Sequence, residues 1–244
     1  MVDIHTHILP GVDDGAADIE MALRLIRHAA AGGTREIFLT PHCAPSYGFY
    51  NYDGEELAGQ FDRLCRAVYQ KEQIPVRLHP GMEDLYEGRE DLLRHQDENY
   101  PLCGSRYLLM EYYFDVEGEQ FLEGIDTLQE CGYVPVIAHP ERYECVWKYP
   151  ELLKEGRKKG ALFQMNKGSL SGRHGGDAGK TAEWMLDEDL ADFIASDAHH
   201  PVHRDSGLKY VAEYVRRYYG KEKMYRIFIK NPECIIRDKL IRTE

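Results

Sequence analysis

Short β-rich runs alternate along this chain with helical patterns, and nearly every run stops at a histidine, aspartate or glutamate. Val2–His7, Glu36–His42, Val76–Met82, Tyr107–Glu111, Val134–His139, Ala161–Asn166 and Asp192–Ser196 read as strands. Asp18–Ala31, Glu55–Lys71, Gln120–Cys131, Glu151–Lys159, Lys180–Glu188, Gly207–Tyr219 and Lys221–Ile229 read as helices, the first closed by Gly32-Gly33. Leu57, Phe61, Leu64 and Val68 are spaced to face a core. Such alternation predicts parallel βα units and a closed or nearly closed α/β barrel. In that architecture the carboxyl ends of the strands form the active face. His5, His7, His42, Glu83, Glu111, His139, Asp197 and His199 should therefore converge on one mouth.

A chain of 244 residues suits one barrel, and no linker, low-complexity tract or fixed-period repeat divides it, so residues 1–244 read as a single domain. The net charge of −12 argues against a nucleic-acid footprint, which needs a basic face. The Arg157-Lys158-Lys159 triplet reads as a solvated helix face. Apolar runs such as Val134–Ala138 fall far short of the roughly 18 residues a membrane span needs. The N-terminus has no secretory pattern, and six scattered cysteines without a CxxC pair read as reduced thiols, so the expected location is cytoplasmic.

His5 and His7 are two apart at a strand end, where alternate side chains share a face and two imidazoles can hold one divalent ion. Asp14 stands before Gly15, whose tight turn can fold the carboxylate back over that strand end, while Asp13 can instead hydrogen-bond within the turn. Mixed imidazole and carboxylate donors without thiolate suit Mn, Fe or Zn. Arg142 and Arg204 can fork onto phosphate oxygens, or can form surface ion pairs.

The segments Asp3–His7, Val12–Gly15, Thr40–His42, Gly81–Glu83, Leu109–Glu111, Ala138–Arg142 and Ser196–His199 resemble the PHP (polymerase and histidinol phosphatase) superfamily. Within it the chain is most similar to manganese-dependent protein-tyrosine phosphatases of bacterial capsule and exopolysaccharide loci, the CpsB/CapC family. The match runs nearly end to end, through Gln164-Met165-Asn166 to Asn231-Pro232. Cys43-Ala44-Pro45 and His200-Pro201-Val202-His203 depart from the family pattern and bear on substrate fit.

The resemblance implies a distorted, TIM-barrel-like (β/α)7 barrel with a three-metal cluster, most simply of Mn2+, with Fe or Zn as alternatives. His5, His7, Glu83 and Asp197 would hold the first ion; Glu83, Glu111 and His139 the second; Asp14, His42 and His199 the third. Arg142 and Arg204 would bind phosphate. The implied substrate is a phosphotyrosine protein, a bacterial tyrosine kinase with a tyrosine-rich tail. A metal-activated hydroxide would attack phosphorus without a phosphoenzyme. His199, another site residue or water would protonate the leaving phenolate. Two rivals stand beside this reading: a histidinol-phosphate phosphatase or other small-molecule PHP phosphoesterase, and a non-catalytic metal-dependent regulatory module. The oligomeric state is left open.

Tyr47, Phe49, Tyr50 and Tyr52 crowd the loop after His42, either to flank a substrate ring or to form a small cluster of their own. Tyr112-Tyr113-Phe114 reads as partial core. Gly175–Thr181 looks like a P-loop, but His174 replaces its first glycine and no strand leads directly into it. No cysteine lies six residues before an arginine, as thiol-based tyrosine phosphatases require, so any phosphatase chemistry must be metal-driven.

Overall fold

The computed structural model describes residues 1–52 and 54–241. Its strands are β1 (Val2–Asp3), β2 (Glu36–Leu39), β3 (His42–Cys43), β4 (Arg77–Pro80), β5 (Glu83–Leu85), β6 (Tyr107–Glu111), β7 (Val134–Ala138), β8 (Leu162–Asn166) and β9 (Phe193–Ala195). All pairings are parallel, in the orders β1-β2-β4 and β3-β5-β6-β7-β8-β9.

Two expected strands are interrupted. Glu36–His42 breaks at Thr40-Pro41, and the run from Val76 stops at Pro80 before resuming as β5. Glu83 therefore opens a strand rather than following one. At the interruption Gly81 packs closely against Leu102, whose Cδ2 would lie 2.9 Å from a Cβ there. The expected strand Val2–His7 pairs regularly only at Val2–Asp3, yet its continuation closes the barrel. Thr6 bridges Ala198, Asp197 N donates to His5 O at 3.0 Å, and His7 N donates to Ala198 O at 2.9 Å. Seven parallel strand lines thus curve into a distorted α/β barrel whose ring is not closed by continuous ladders.

Alternation along the strands sorts the core. Phe38, Tyr107, Leu109, Val136, Leu162 and Phe193 fill the barrel interior, while Leu108, Met110, Ile137, Phe163 and Ile194 face the helices. Most expected helices appear within a few residues, such as Ile19–Ala31, which Asp18 caps by accepting from Met21 N. Lys180–Glu188 starts earlier, at Gly176, so the P-loop-like segment is the first turn of a helix. Short helices at Arg89–Arg94, Glu144–Lys148 and Lys167–Leu170 carry too few turns to show periodicity. Arg157 is not part of a solvated face: its side chain is mostly buried and pairs with Asp192. Among the described residues no helix is long and apolar enough to cross a membrane, and the six cysteines are free thiols.

Candidate metal centre

The carboxyl end of the barrel gathers all nine expected ligand residues: His5, His7, Asp14, His42, Glu83, Glu111, His139, Asp197 and His199. Among the described residues, three sets of donor atoms each lie within 4.8 Å of one another: His7, Asp14, His42 and His199; His5, His7 and Glu83; His42, Glu83 and Glu111. Asp197 and His139 border these sets, with Asp197 Oδ1 3.4 Å from His7 Nε2 and His139 Nε2 3.1 Å from Glu83 Oε1. His42 stands between two sets, since its Nδ1 faces Glu111 Oε1 at 3.0 Å and its Nε2 faces Asp14 Oδ1 at 3.5 Å.

The loop carrying Asp13 and Asp14 folds back on His7, with Ala16 N donating to His7 O. A Cβ on Gly15 would lie 2.0 Å from that carbonyl, so glycine is required by close approach and not by a left-handed φ. Asp13 accepts from Gly15 N at 2.9 Å within the turn, as its loop position suggests, and its other oxygen faces His7 Nδ1 at 2.7 Å. Two of the candidate ligands, His139 at φ 33 and Asp197 at φ 51, hold left-handed backbone conformations, which for non-glycine residues carry strain.

Outer contacts fix the imidazole tautomers. Carboxylates only accept, so Asp13 leaves the proton of His7 on Nδ1. Asn166 Nδ2 must likewise donate to Asp197 Oδ2, at 2.6 Å. Its Oδ1 then accepts from Gln164 Nε2 at 3.0 Å, and Gln164 Oε1 accepts from His5 Nδ1 at 2.7 Å. Both Nε2 atoms are left as bare lone pairs 3.1 Å apart, 3.0 and 3.1 Å from Glu83 Oε2. His199 donates Nδ1–H to Asp197 O at 3.0 Å and turns a bare Nε2 toward Asp14. Glu83 Oε2, His42 Nδ1 and His199 Nε2 are buried without a hydrogen-bond partner. Lone pairs and carboxylate oxygens aimed at one another fit divalent cations, with the outer hydrogen bonds orienting the donors.

In the metal-free chain protons take the place of that charge. Burial alone would lower His5 and His42, but Glu83 with Asp197, and Glu83 with Glu111, raise them to about 9 and about 10 respectively. Burial opposes ionisation of Glu83 and Asp197, yet His5 and His42 around the first, and Arg204 and His5 around the second, hold both well below the usual carboxylate range.

A cleft of about 380 Å³ opens above the cluster. Arg204 Nη2 contacts Asp197 Oδ2, and Arg142 Nη1 lies 3.7 Å from the same oxygen. The Arg142 guanidinium stacks 4.4 Å over the Phe114 ring. Both arginines line the cleft beside the candidate ligands His139 and Asp197, so neither is a remote surface ion pair. Tyr47 and Phe49 line the cleft, whereas Tyr52 stacks on His95 and Tyr50 is exposed. Only Tyr112 of the second aromatic group belongs to the core; Tyr113 and Phe114 reach the cleft, because their strand has ended and alternation no longer buries them.

Sequence reasoning gave no role to Gln164, Asn166 or Glu141. Glu141 is fully buried and accepts from Asn166 N at 2.9 Å and Ser169 Oγ at 2.7 Å, tying the Arg142 turn to the end of β8. The i, i+2 spacing of Gln164 and Asn166 on an inward-facing strand was an available signal.

Fold and donor set define the class: a parallel α/β barrel with imidazole and carboxylate donors, suited to metal ions, gathered at the carboxyl ends of its strands. A histidinol phosphate phosphatase from Lactococcus lactis shares this fold, with a TM-score of 0.56 at 14% identity over 91% of this chain and 93% of that one. The chain belongs to the capsular polysaccharide synthesis CpsB/CapC family, whose profile matches residues 1–237. It is 33% identical to the tyrosine-protein phosphatase YwqE of Bacillus subtilis over 99% of this chain and 93% of the relative. It is 29% identical to the tyrosine-protein phosphatase CpsB of Streptococcus pneumoniae over 99% and 100%. A crystal structure from work on YwqE and CpsB, described as unique metal-dependent tyrosine phosphatases, superposes with a TM-score of 0.88 at 32% identity, covering 100% of this chain and 97% of the other.

Proposed function

We propose that this chain is a metal-dependent protein-tyrosine phosphatase that hydrolyses phosphotyrosine on a bacterial tyrosine kinase controlling capsule or exopolysaccharide synthesis, in the cytoplasm, with Mn2+ as the working ion. The observation that carries the reading is the facing pair of bare imidazole nitrogens on Glu83, directly under a cleft that two guanidiniums share. His5, His7, Glu83 and Asp197 would hold one ion, Glu83, Glu111 and His139 a second, and Asp14, His42 and His199 a third. Bound ions would supply charge for the phosphate oxygens and lower the pKa of water.

The chain's own residues do the rest. Arg142 and Arg204 receive the phosphate dianion and the charge that grows on its oxygens. Tyr47, Phe49, Tyr113 and Phe114 offer ring faces and edges to the substrate's phenyl group. Because Asp14 and the Asp197 carbonyl set His199 as a donor to the ion, a water in the open cleft returns a proton to the phenolate.

The test is phosphate release by metal-stripped protein reloaded with manganese, from a phosphotyrosine peptide and from histidinol phosphate in parallel, with Arg142→Ala as control. Release from the peptide, lost in the control, supports the reading. Preference for histidinol phosphate would assign the site to a small-molecule phosphoesterase instead. Retained metal with no release from either substrate would leave the non-catalytic module.

A further inference from the structure

At the opposite end of the barrel, the inward face of β2 and β4 carries a second set of titratable groups. Glu36 and Phe38 point inward on β2, and Arg77 and His79 stand beside them on β4 in register. His79 Nε2 lies 2.7 Å from Glu36 Oε2, and Arg77 Nε holds the same carboxylate at 2.9 and 3.0 Å. Because a carboxylate only accepts, Glu36 keeps the His79 proton on Nε2 and leaves Nδ1 bare. Cys103 Sγ lies 3.4 Å from that Nδ1.

We propose that Cys103 is a nucleophilic thiol, activated by His79 and Glu36, and a site of covalent modification by peroxides. Thiol, imidazole and carboxylate stand in the order that activates a nucleophile: base on the S–H proton, third group orienting the base and stabilising its charged form. Among the described residues Cys103 is the one thiol hydrogen-bonded to an imidazole. It is only partly buried, so a small oxidant reaches it, whereas Cys43 and Cys145 are enclosed. Burial and the Glu36 charge push the Cys103 thiol up on their own, so its nucleophilicity rests on proton transfer to His79.

The step balances within the triad and one peroxide. His79 Nδ1 takes the thiol proton, and the thiolate sulfur attacks one peroxide oxygen. An S–O bond forms as the O–O bond breaks, and the departing hydroxide takes the proton back from His79 and leaves as water. Sulfur is oxidised to the sulfenic acid and the peroxide is reduced.

The experiment treats the full-length, manganese-loaded protein with brief pulses of iodoacetamide and follows each cysteine by peptide mass spectrometry. Cys103 is expected to alkylate about tenfold faster than Cys65, Cys131 and Cys234, and His79→Asn to remove that advantage. Glu36→Gln should slow Cys103 severalfold, and serves alone should His79→Asn fail to fold. Phosphate release at the far mouth reports the integrity of each variant. With hydrogen peroxide and dimedone, the first adduct should fall on Cys103. A Cys103 rate equal to that of Cys65, a rate indifferent to His79→Asn and Glu36→Gln, or dimedone spread evenly over the partly exposed thiols would overturn the assignment.

Discussion

His5 and His7 present bare Nε2 atoms to each other at 3.1 Å, because Gln164 and Asp13 hold the protons of both rings on the far nitrogens. In the metal-free chain this contact sets lone pair against lone pair unless a ring takes up a second proton. Gln164 and Asp13 would thereby orient the donors of the proposed metal site without touching the ions. Gln164→Ala and Asp13→Ala should each lower metal affinity about 10- to 100-fold, the usual cost of losing an outer partner of a ligand histidine. Competition with a chromophoric chelator measures this directly, and unchanged affinity in both variants would refute the tautomer assignment.

Removing the metal should make stability strongly pH-dependent. His5 and His42 have folded pKa values raised to about 9 and about 10 from 6.5. Their charged forms stabilise the metal-free barrel fully below 6.5, and that contribution disappears as pH rises through the raised values. Glu83 and Asp197 are depressed, so their contribution holds above their ordinary values of 4.5 and 3.8 and is lost as pH falls. Chelator-treated protein should therefore melt highest near about pH 5–6 and progressively lower toward about pH 10. Manganese should flatten the alkaline arm, since cations replace the protons. Thermal unfolding across that range, with and without metal, decides it.

How much of this site was legible in the chain depends on how each residue is placed. Candidate ligands at strand ends, such as His139 after β7, are legible because the fold's active face is set by strand direction and residue type alone. Glu83 reaches the candidate site although it opens β5 instead of following a strand, since the Pro80–Met82 interruption shifts the ladder and not the donor. Tyr113 and Phe114 line the cleft and not the core, a difference the sequence does not carry because alternation ends with the strand. Glu141 reads from sequence like any surface acid; only the fold shows it buried against Asn166 and Ser169. The Cys103, His79 and Glu36 set spans three distant segments and has no local signature.

Arg142 and Arg204 converge on one Asp197 oxygen, and a phosphate entering the cleft would compete for both guanidiniums. Arg142→Ala and Arg204→Ala should each reduce kcat/KM for a phosphotyrosine peptide by roughly 10²- to 10³-fold, the scale of a lost oxyanion donor. Arg→Lys should recover only part of it, since an ammonium does not fork. Metal content, measured alongside, should stay near that of the unaltered protein. A variant that loses its metal would instead make the arginine structural.

Glu141→Ala should keep the barrel folded but loosen the turn that carries Arg142, whereas Glu141→Gln should largely preserve it. One Glu141 oxygen accepts both hydrogen bonds from the end of β8 and the turn after it, while the other has no partner. The amide can accept the same pair, so a stability loss of about 1 kcal/mol is expected, and Glu141→Ala should cost about 1–3 kcal/mol by stranding buried donors. In kinetics Glu141→Ala should raise KM more than it lowers kcat, with Glu141→Gln largely rescued. A purely structural role would give the unfolding change without the KM shift.

Phe114 tests whether the cleft selects aryl esters. Its ring stacks on Arg142 and stands 6.2 Å from the His139 ring, so it both steadies a phosphate-binding group and walls the cleft. Phe114→Ala removes a cation–π contact and a ring face, each about 0.5–1.5 kcal/mol. The two losses separate by substrate. A loosened Arg142 weakens every phosphomonoester alike, whereas a missing ring face weakens phosphotyrosine and leaves an alkyl phosphate untouched. If the wall selects phenyl groups, the ratio of kcat/KM for a phosphotyrosine peptide to that for a phosphoserine peptide should fall about 3- to 10-fold. An equal loss on both substrates would leave Phe114 as a support for Arg142 alone, and selectivity would then have to come from Tyr47, Phe49 and Tyr113 across the cleft.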